Sequence, residues 1–136
     1  MQHPSFTFGN ERVPVSDFVL YDRIITDRGS VYSVSVGRVQ GREDISLFLR
    51  RLKKHTGYAA ATHHSYAARI SHAGAIHETK SDDGEVGAGM VILRKLQRSN
   101  VTDCVVTVTR WYGGVMLMND RFKHLKDAAH YALERL

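Results

Sequence analysis

The sequence predicts an α+β fold, a two-layer sandwich in which helices cover one face of a mixed β-sheet. Three observations predict it. Period-2 strand patterns are interleaved with three stretches of helical periodicity. The strand patterns place apolar residues on one face and Ser or Thr on the other, as for a sheet covered on one side. Finally, the only two prolines, Pro4 and Pro14, precede the periodic part, which no repeat or linker interrupts.

Residues 1–16 are expected to form a weakly held arm, and residues 17–136 the folded domain. Strands are expected over 18–26 and 31–39, joined by the turn signal Asp27-Arg28-Gly29-Ser30. In the second, Tyr32, Val34 and Val36 alternate with Ser33 and Ser35. A helix over 43–55 comes next, with Ile45, Phe48, Leu49 and Leu52 as its apolar stripe and Gly57 placed to end it. Residues 58–70 form the third strand, with a partner near 75–79. The turn Ser81-Asp82-Asp83-Gly84-Glu85 feeds a helix to Arg98, packed through Ala88, Val91, Ile92 and Leu96. The last strand, 103–110, carries Cys104, Val106 and Val108 on one side and Val105, Thr107 and Thr109 on the other. After Gly113-Gly114 a final helix begins near Asp120, its inner face lined by Phe122, Leu125, Ala129, Leu133 and Leu136. The Ser/Thr face of the sheet, left uncovered, is expected to be a docking surface.

Composition narrows the function. A chain of 136 residues, 43% hydrophobic and 24% charged, suits one domain with a real core. No apolar run has the length needed to span a bilayer, and residues 1–10 lack the basic and apolar regions of a signal peptide. The single cysteine, Cys104, sits in an apolar run and is expected to be a buried thiol, compatible with a reducing cytosol. A net charge of +5 favours anionic partners. Arg50, Arg51, Lys53 and Lys54 cluster on the first helix, where they either solvate its outer face or form a sequence-blind RNA contact.

Four constellations could carry chemistry. The segment Asp82-Asp83-Gly84-Glu85 with Gly87 and Gly89 meets a helix start. Acids there cap the helix, and three of them would repel a phosphate; no P-loop lysine comes after them. His63, His64, His72 and His77 lie near these acids but lack metal-site spacing, and His63 and His64 point to opposite faces of a strand, so no metal is expected. Arg110-Trp111-Tyr112-Gly113-Gly114 ends the last strand. It is either a structural corner, with Trp111 over the sheet edge and Arg110 paired with Asp83 or Asp120, or a surface that grips a partner. His63 with Asp82 or Asp83 would make an acid–base set for a hydrolase. No nucleophile elbow or activated cysteine accompanies it, so an enzyme is the minority reading.

The run Val108-Thr109-Arg110-Trp111-Tyr112-Gly113-Gly114, with Leu117 and Asp120-Arg121-Phe122-Lys123-His124, resembles the signature of the IMPACT family in its eukaryotic form. Asp82-Asp83-Gly84-Glu85 with Ala88-Gly89 is similar to its acidic-glycine motif. Ala61-Thr62-His63-His64 with Tyr66 and Arg69 resembles its histidine strand, and Asp27-Arg28-Gly29-Ser30 its early turn. The resemblance implies a fold like the second domain of a small-subunit ribosomal protein and domain IV of elongation factor G. It also implies a cytoplasmic, non-enzymatic role in translational control. Similar eukaryotic members restrain the amino-acid-starvation kinase by competing for its ribosome-bound activator, and some associate with actin; for bacterial relatives nucleic-acid binding is proposed. Two departures stand out. Met118 comes after Leu117 where the family pattern has glycine. The family's eukaryotic regulators also carry an N-terminal RWD domain that binds the activator, for which these 136 residues leave no room.

The expected partner is therefore a translation-associated protein or the ribosome, with RNA as the alternative and no cofactor. The expected binding residues are Asp82, Asp83, Gly84, Glu85, Arg110, Trp111, Tyr112, Gly113, Gly114 and Arg121, with His63 and Arg69 on the strand between.

Overall fold

A computed structural model describes residues 5–8, 11–14 and 18–136, the first two stretches as backbone only. The other positions of the expected arm lie outside the described residues. Strands β1 (Ser5–Phe8) and β2 (Glu11–Pro14) pair with each other, and β1 also pairs with the short β7 (Val101–Thr102). The main sheet contains β3 (Val19–Asp27), β4 (Ser30–Arg38), β5 (His63–His72), β6 (Ala75–Ser81) and β8 (Cys104–Trp111), in the order β3-β4-β8-β5-β6. The helices are α1 (Arg42–Leu52), α2 (Ala88–Arg98) and α3 (Asp120–Leu133).

The α+β class is as the sequence predicted, and so are the order and type of the main elements. Boundaries moved where turns intervene. The first helix stops at Leu52, with Lys53 as its C-cap, and β5 starts only at His63. Between them Tyr58, read from sequence as part of the strand, is a buried residue in a turn.

Two particulars of the sheet differ from expectation. Every pairing is antiparallel rather than mixed. The strands joined through α1, β4 and β5, run in the same direction, but β8 lies between them and is antiparallel to both.

Helices also occupy both faces. Val34, Val36, Ala67, Cys104, Val106 and Val108 form the main core with Ile92, Leu96, Leu125 and Ala129 of α2 and α3. This is the front face. The alternate residues Ala68, Ile70 and Val105 pack instead with Ile45 and Phe48 of α1, on the rear face. The expected rear docking surface therefore does not exist. Ser33, Ser35 and Thr107 are at 0% exposure and Thr109 at 1%. Small hydroxyl side chains resemble a solvent face in a pattern, yet here they are buried, Ser33 bonded by Tyr58 of the turn after α1 and Thr109 by His64. Cys104 is buried as expected, and burial pushes its thiol pKa well above the ordinary value.

Candidate functional site

The end of the sheet where β8 finishes is built from three motifs. Antiparallel register sets Arg110 between Tyr32 of β4 and His63 of β5. Arg110, 4% exposed, is ion-paired with Glu85, 3% exposed. The sequence had suggested Asp83 or Asp120 as its partner; the turn instead carries Glu85 inward. The Arg110 guanidinium also lies over the rings of Tyr32 and Tyr112, 5.3 and 5.7 Å from their centroids, and donates to Ser30 Oγ at 3.2 Å. Arg121 of α3 comes within 3.9 Å of Glu85 and donates to the Val86 carbonyl at 2.8 Å. Burial pushes the Tyr32 phenol up to about 12.

The acidic turn divides its labour. The Asp82 carboxylate accepts the Gly87 and Gly89 amides at 3.0 and 2.8 Å, capping α2, and those two bonds hold its pKa below the usual carboxylate range. The Asp83 carboxylate accepts the His64 amide at 2.8 Å, and the Asp83 carbonyl accepts from His63 Nδ1 at 2.8 Å. Both carboxylates are thus committed to backbone amides, and neither meets the His63 ring. The acid–base set that a hydrolase would need is not assembled.

The double glycine has a steric cause. A Cβ on Gly113 would sit 2.0 Å from the Gly29 carbonyl carbon, so only glycine lets the corner lie against the early turn. Gly113 N–H then donates to Ser30 Oγ, the hydroxyl that Arg110 also uses. Gly114 continues the corner with φ +92°.

A cleft of about 620 Å³ opens over this assembly, lined by Thr62, His63, Gly84, Glu85, Arg110, Tyr112 and Arg121. Val86, Met116, Met118 and Asn119 at the exposed edge, with Phe122 and the buried Leu117, complete its lining. Among the described residues, seven large hydrophobics are exposed, and four of them, Val86, Tyr112, Met116 and Met118, line this cleft. In its floor, Glu85 Oε1 and Arg110 Nε are buried without a hydrogen-bond partner. Among the described residues no group of three or more His, Cys, Asp or Glu is placed to hold a metal ion.

Of the residues singled out from sequence, His63, Gly84, Glu85, Arg110, Tyr112 and Arg121 line the cleft, while Asp82, Asp83, Gly113 and Gly114 shape its walls. Trp111 and Arg69 do not take part. Trp111 alternates to the rear face, where its Nε1 donates to the Gly57 carbonyl at 3.0 Å and Arg23 covers its ring at 4.8 Å. Arg69 shares the front face with His63 but stands six residues along β5, about 20 Å away at the usual strand rise. There it binds Glu78 and the Val101 carbonyl. Arg50 and Arg51 are exposed in the last turn of α1 and Lys53 and Lys54 in the turn beyond it, Arg51 stacked on Phe18 at 4.7 Å.

Sequence reasoning missed the apolar rim. The signal was present in Val115-Met116-Leu117-Met118, four consecutive apolar residues in a loop outside any periodic element. Met118 adopts φ +54°, so the left-handed backbone that glycine would favour is retained with a side chain added to the rim.

The family described as the Impact N-terminal domain matches residues 28–133. The chain belongs to the IMPACT family. Protein IMPACT-A of Xenopus tropicalis is 35% identical over 127 residues, covering 92% of this chain and 39% of that protein. Protein IMPACT of Mus musculus is 39% identical over 111 residues, 80% of this chain and 35% of its own length. The chain thus spans roughly two fifths of such IMPACT relatives. Among solved structures, the two-domain translational regulator Yih1 aligns over 92% of this chain and 49% of its own, with TM-score 0.59 and 32% identity. A hypothetical protein aligns with TM-score 0.74 over 90% of this chain and 63% of its own; at 23% identity it supports the fold alone.

Proposed function

We propose that this IMPACT-family domain is a non-catalytic, cytoplasmic binding module of translational control, and that its cleft engages a translation-associated protein. The single observation that carries this reading is the concentration of exposed Val86, Met116 and Met118, at 74, 71 and 69% exposure, around a floor of buried charge. Adaptable methionines beside an aromatic ring are the composition of a protein-binding surface rather than of a small-molecule catalyst. Beneath the rim the buried Glu85–Arg110 pair fixes the shape of the floor against which an apolar contact would seat. The likeness to a translational regulator supplies the process, and the starvation-signalling role of similar family members belongs to the same proposal.

Met116→Asp tests it, because the side chain is exposed and its loss leaves the fold intact. Tagged wild-type domain is expected to enrich ribosomal proteins or translation factors from lysate, identified by mass spectrometry, and the variant to lose them at least tenfold. Equal recovery on both baits, or no translation protein on the wild type, would defeat the reading.

A further inference from the structure

Away from the cleft, α2 and α3 lie side by side, and a groove of about 140 Å³ runs between them. It is lined by Val91, Arg94, Lys95 and Arg98 of α2 and by Lys126 of α3. No acidic side chain lines it. Among the described residues, none of the four cations makes an ion pair or a side-chain hydrogen bond. This distinguishes them from neighbouring charges on the same helices: Lys123 pairs with Asp127, His130 with Glu134, and Arg121 is drawn toward Glu85.

The fold does not require this arrangement. Lys95 and Arg98 stand in the last turn of α2, where the helix dipole favours cations. That account does not reach Arg94, nor Lys126 in the middle of α3. Arg94 and Arg98 are four residues apart on one face, a like-charge pair that opposes the helix by a few tenths of a kcal/mol (~0.2–0.5). Four converging cations without counter-charges are a liability to stability that a polyanion would relieve.

We propose that the α2–α3 groove binds the phosphodiester backbone of RNA. The cations come from two helices and face one open channel, which suits a chain of phosphates better than an isolated one. Val91 is half-buried, so no exposed apolar strip accompanies the charge, as insertion into a lipid surface would need. No aromatic ring lines the groove, so contact is confined to phosphates and is blind to sequence. The net charge of +5 adds long-range attraction. The choice of RNA as the source of phosphate rests on the proposed translational role; the site itself does not. It also differs from the contact expected from sequence at Arg50, Arg51, Lys53 and Lys54, which lies at the C-terminal end of α1 on the rear face.

The experiment is fluorescence anisotropy with labelled oligo(U) RNA, over a series of salt concentrations. Four phosphates neutralised on a single strand predict a slope of log affinity against log salt of about −3, at roughly −0.7 per contact. The triple variant Arg94→Gln, Arg98→Gln, Lys126→Gln is expected to lose tenfold or more in affinity at low salt and to flatten that slope toward about −1. Its melting temperature should equal or slightly exceed that of the wild type, which shows the loss is not unfolding. Arg50→Gln with Lys54→Gln should bind as wild type. Oligo(dT) of the same length should bind no more tightly than oligo(U). A salt-independent signal, a triple variant indistinguishable from wild type, a loss confined to the α1 variant, or binding to DNA alone would each overturn the proposal. Because the groove and cleft are separate, Met116→Asp should retain RNA, and the triple variant should retain the protein partner. Failure of either reading is therefore visible on its own.

Discussion

His63 and His64 are neighbours in the chain and opposites in the fold, and the two faces of the sheet differ as they do. His64, 6% exposed, is satisfied at both ring nitrogens: Nε2 donates to the Tyr58 carbonyl and Nδ1 accepts from Thr109 Oγ1, each at 2.9 Å. Around it Tyr58 donates to Asp22 and accepts from the Ser33 hydroxyl, and Trp111 donates to the Gly57 carbonyl. The rear corner is closed and bonded. On the front, His63 borders a cleft with an apolar rim and unpaired polar atoms in its floor. Equal residue types two faces apart thus separate a structural corner from a candidate binding surface. The property that divides them is access: the rear corner is covered, whereas the front opens into a cleft of about 620 Å³.

The contrast breaks first, and most heavily, at Glu85. Glu85→Ala leaves Arg110 buried without its counter-ion, and the expected cost is about 3–5 kcal/mol in urea unfolding. Glu85→Met combined with Arg110→Leu should recover most of that stability while the cleft loses its floor charge and its partner. A loss below about 1 kcal/mol for Glu85→Ala would show that the pair is not truly desolvated.

The rear face predicts a smaller, pH-dependent effect. Burial lowers the His64 pKa, so the unfolded chain takes up its proton before the folded one does. The stability that His64 contributes is present above the unfolded value of about 6.5 and is lost as pH falls through the folded pKa. Urea midpoints measured between pH 7 and 5 should decline more steeply for wild type than for His64→Gln. Parallel declines would place His64 in a more solvated setting than its bonds indicate.

The smallest effect sharpens the front face. Met118→Gly removes a left-handed penalty of about 1–2 kcal/mol and adds glycine's unfolded-state entropy of roughly 0.5–1 kcal/mol. A net gain of about 0.5–1 kcal/mol in stability is expected, together with weaker partner capture. Stability and binding moving in opposite directions would mark Met118 as kept for the rim. A stability loss would show that its side chain contributes packing the fold needs.

Much of the fold was legible because its signals are local. The turn at Asp27 to Ser30, the stripes of the three helices and the alternation at Cys104 to Val108 each announce an element within a few residues. The site was legible as motifs but not as an arrangement. Nothing in the spacing of Glu85 and Arg110, twenty-five residues apart, makes them a pair, and Asp83 or Asp120 fitted the sequence equally well. The rim escaped notice because Met116 and Met118 carry no period, and exposure is a property of the folded surface.

By itself the sequence determined the class, the element order, the buried thiol and the glycines that punctuate the corner, since each stems from local propensity and side-chain size. Only the tertiary structure decided which face each strand residue took. It inserted β8 between β4 and β5, sent α1 to the rear, and turned Trp111 away while Arg110 closed on Glu85. Those outcomes depend on contacts between residues distant in the chain. Packing and desolvation select among such contacts, and neither can be read from a stretch of chain alone.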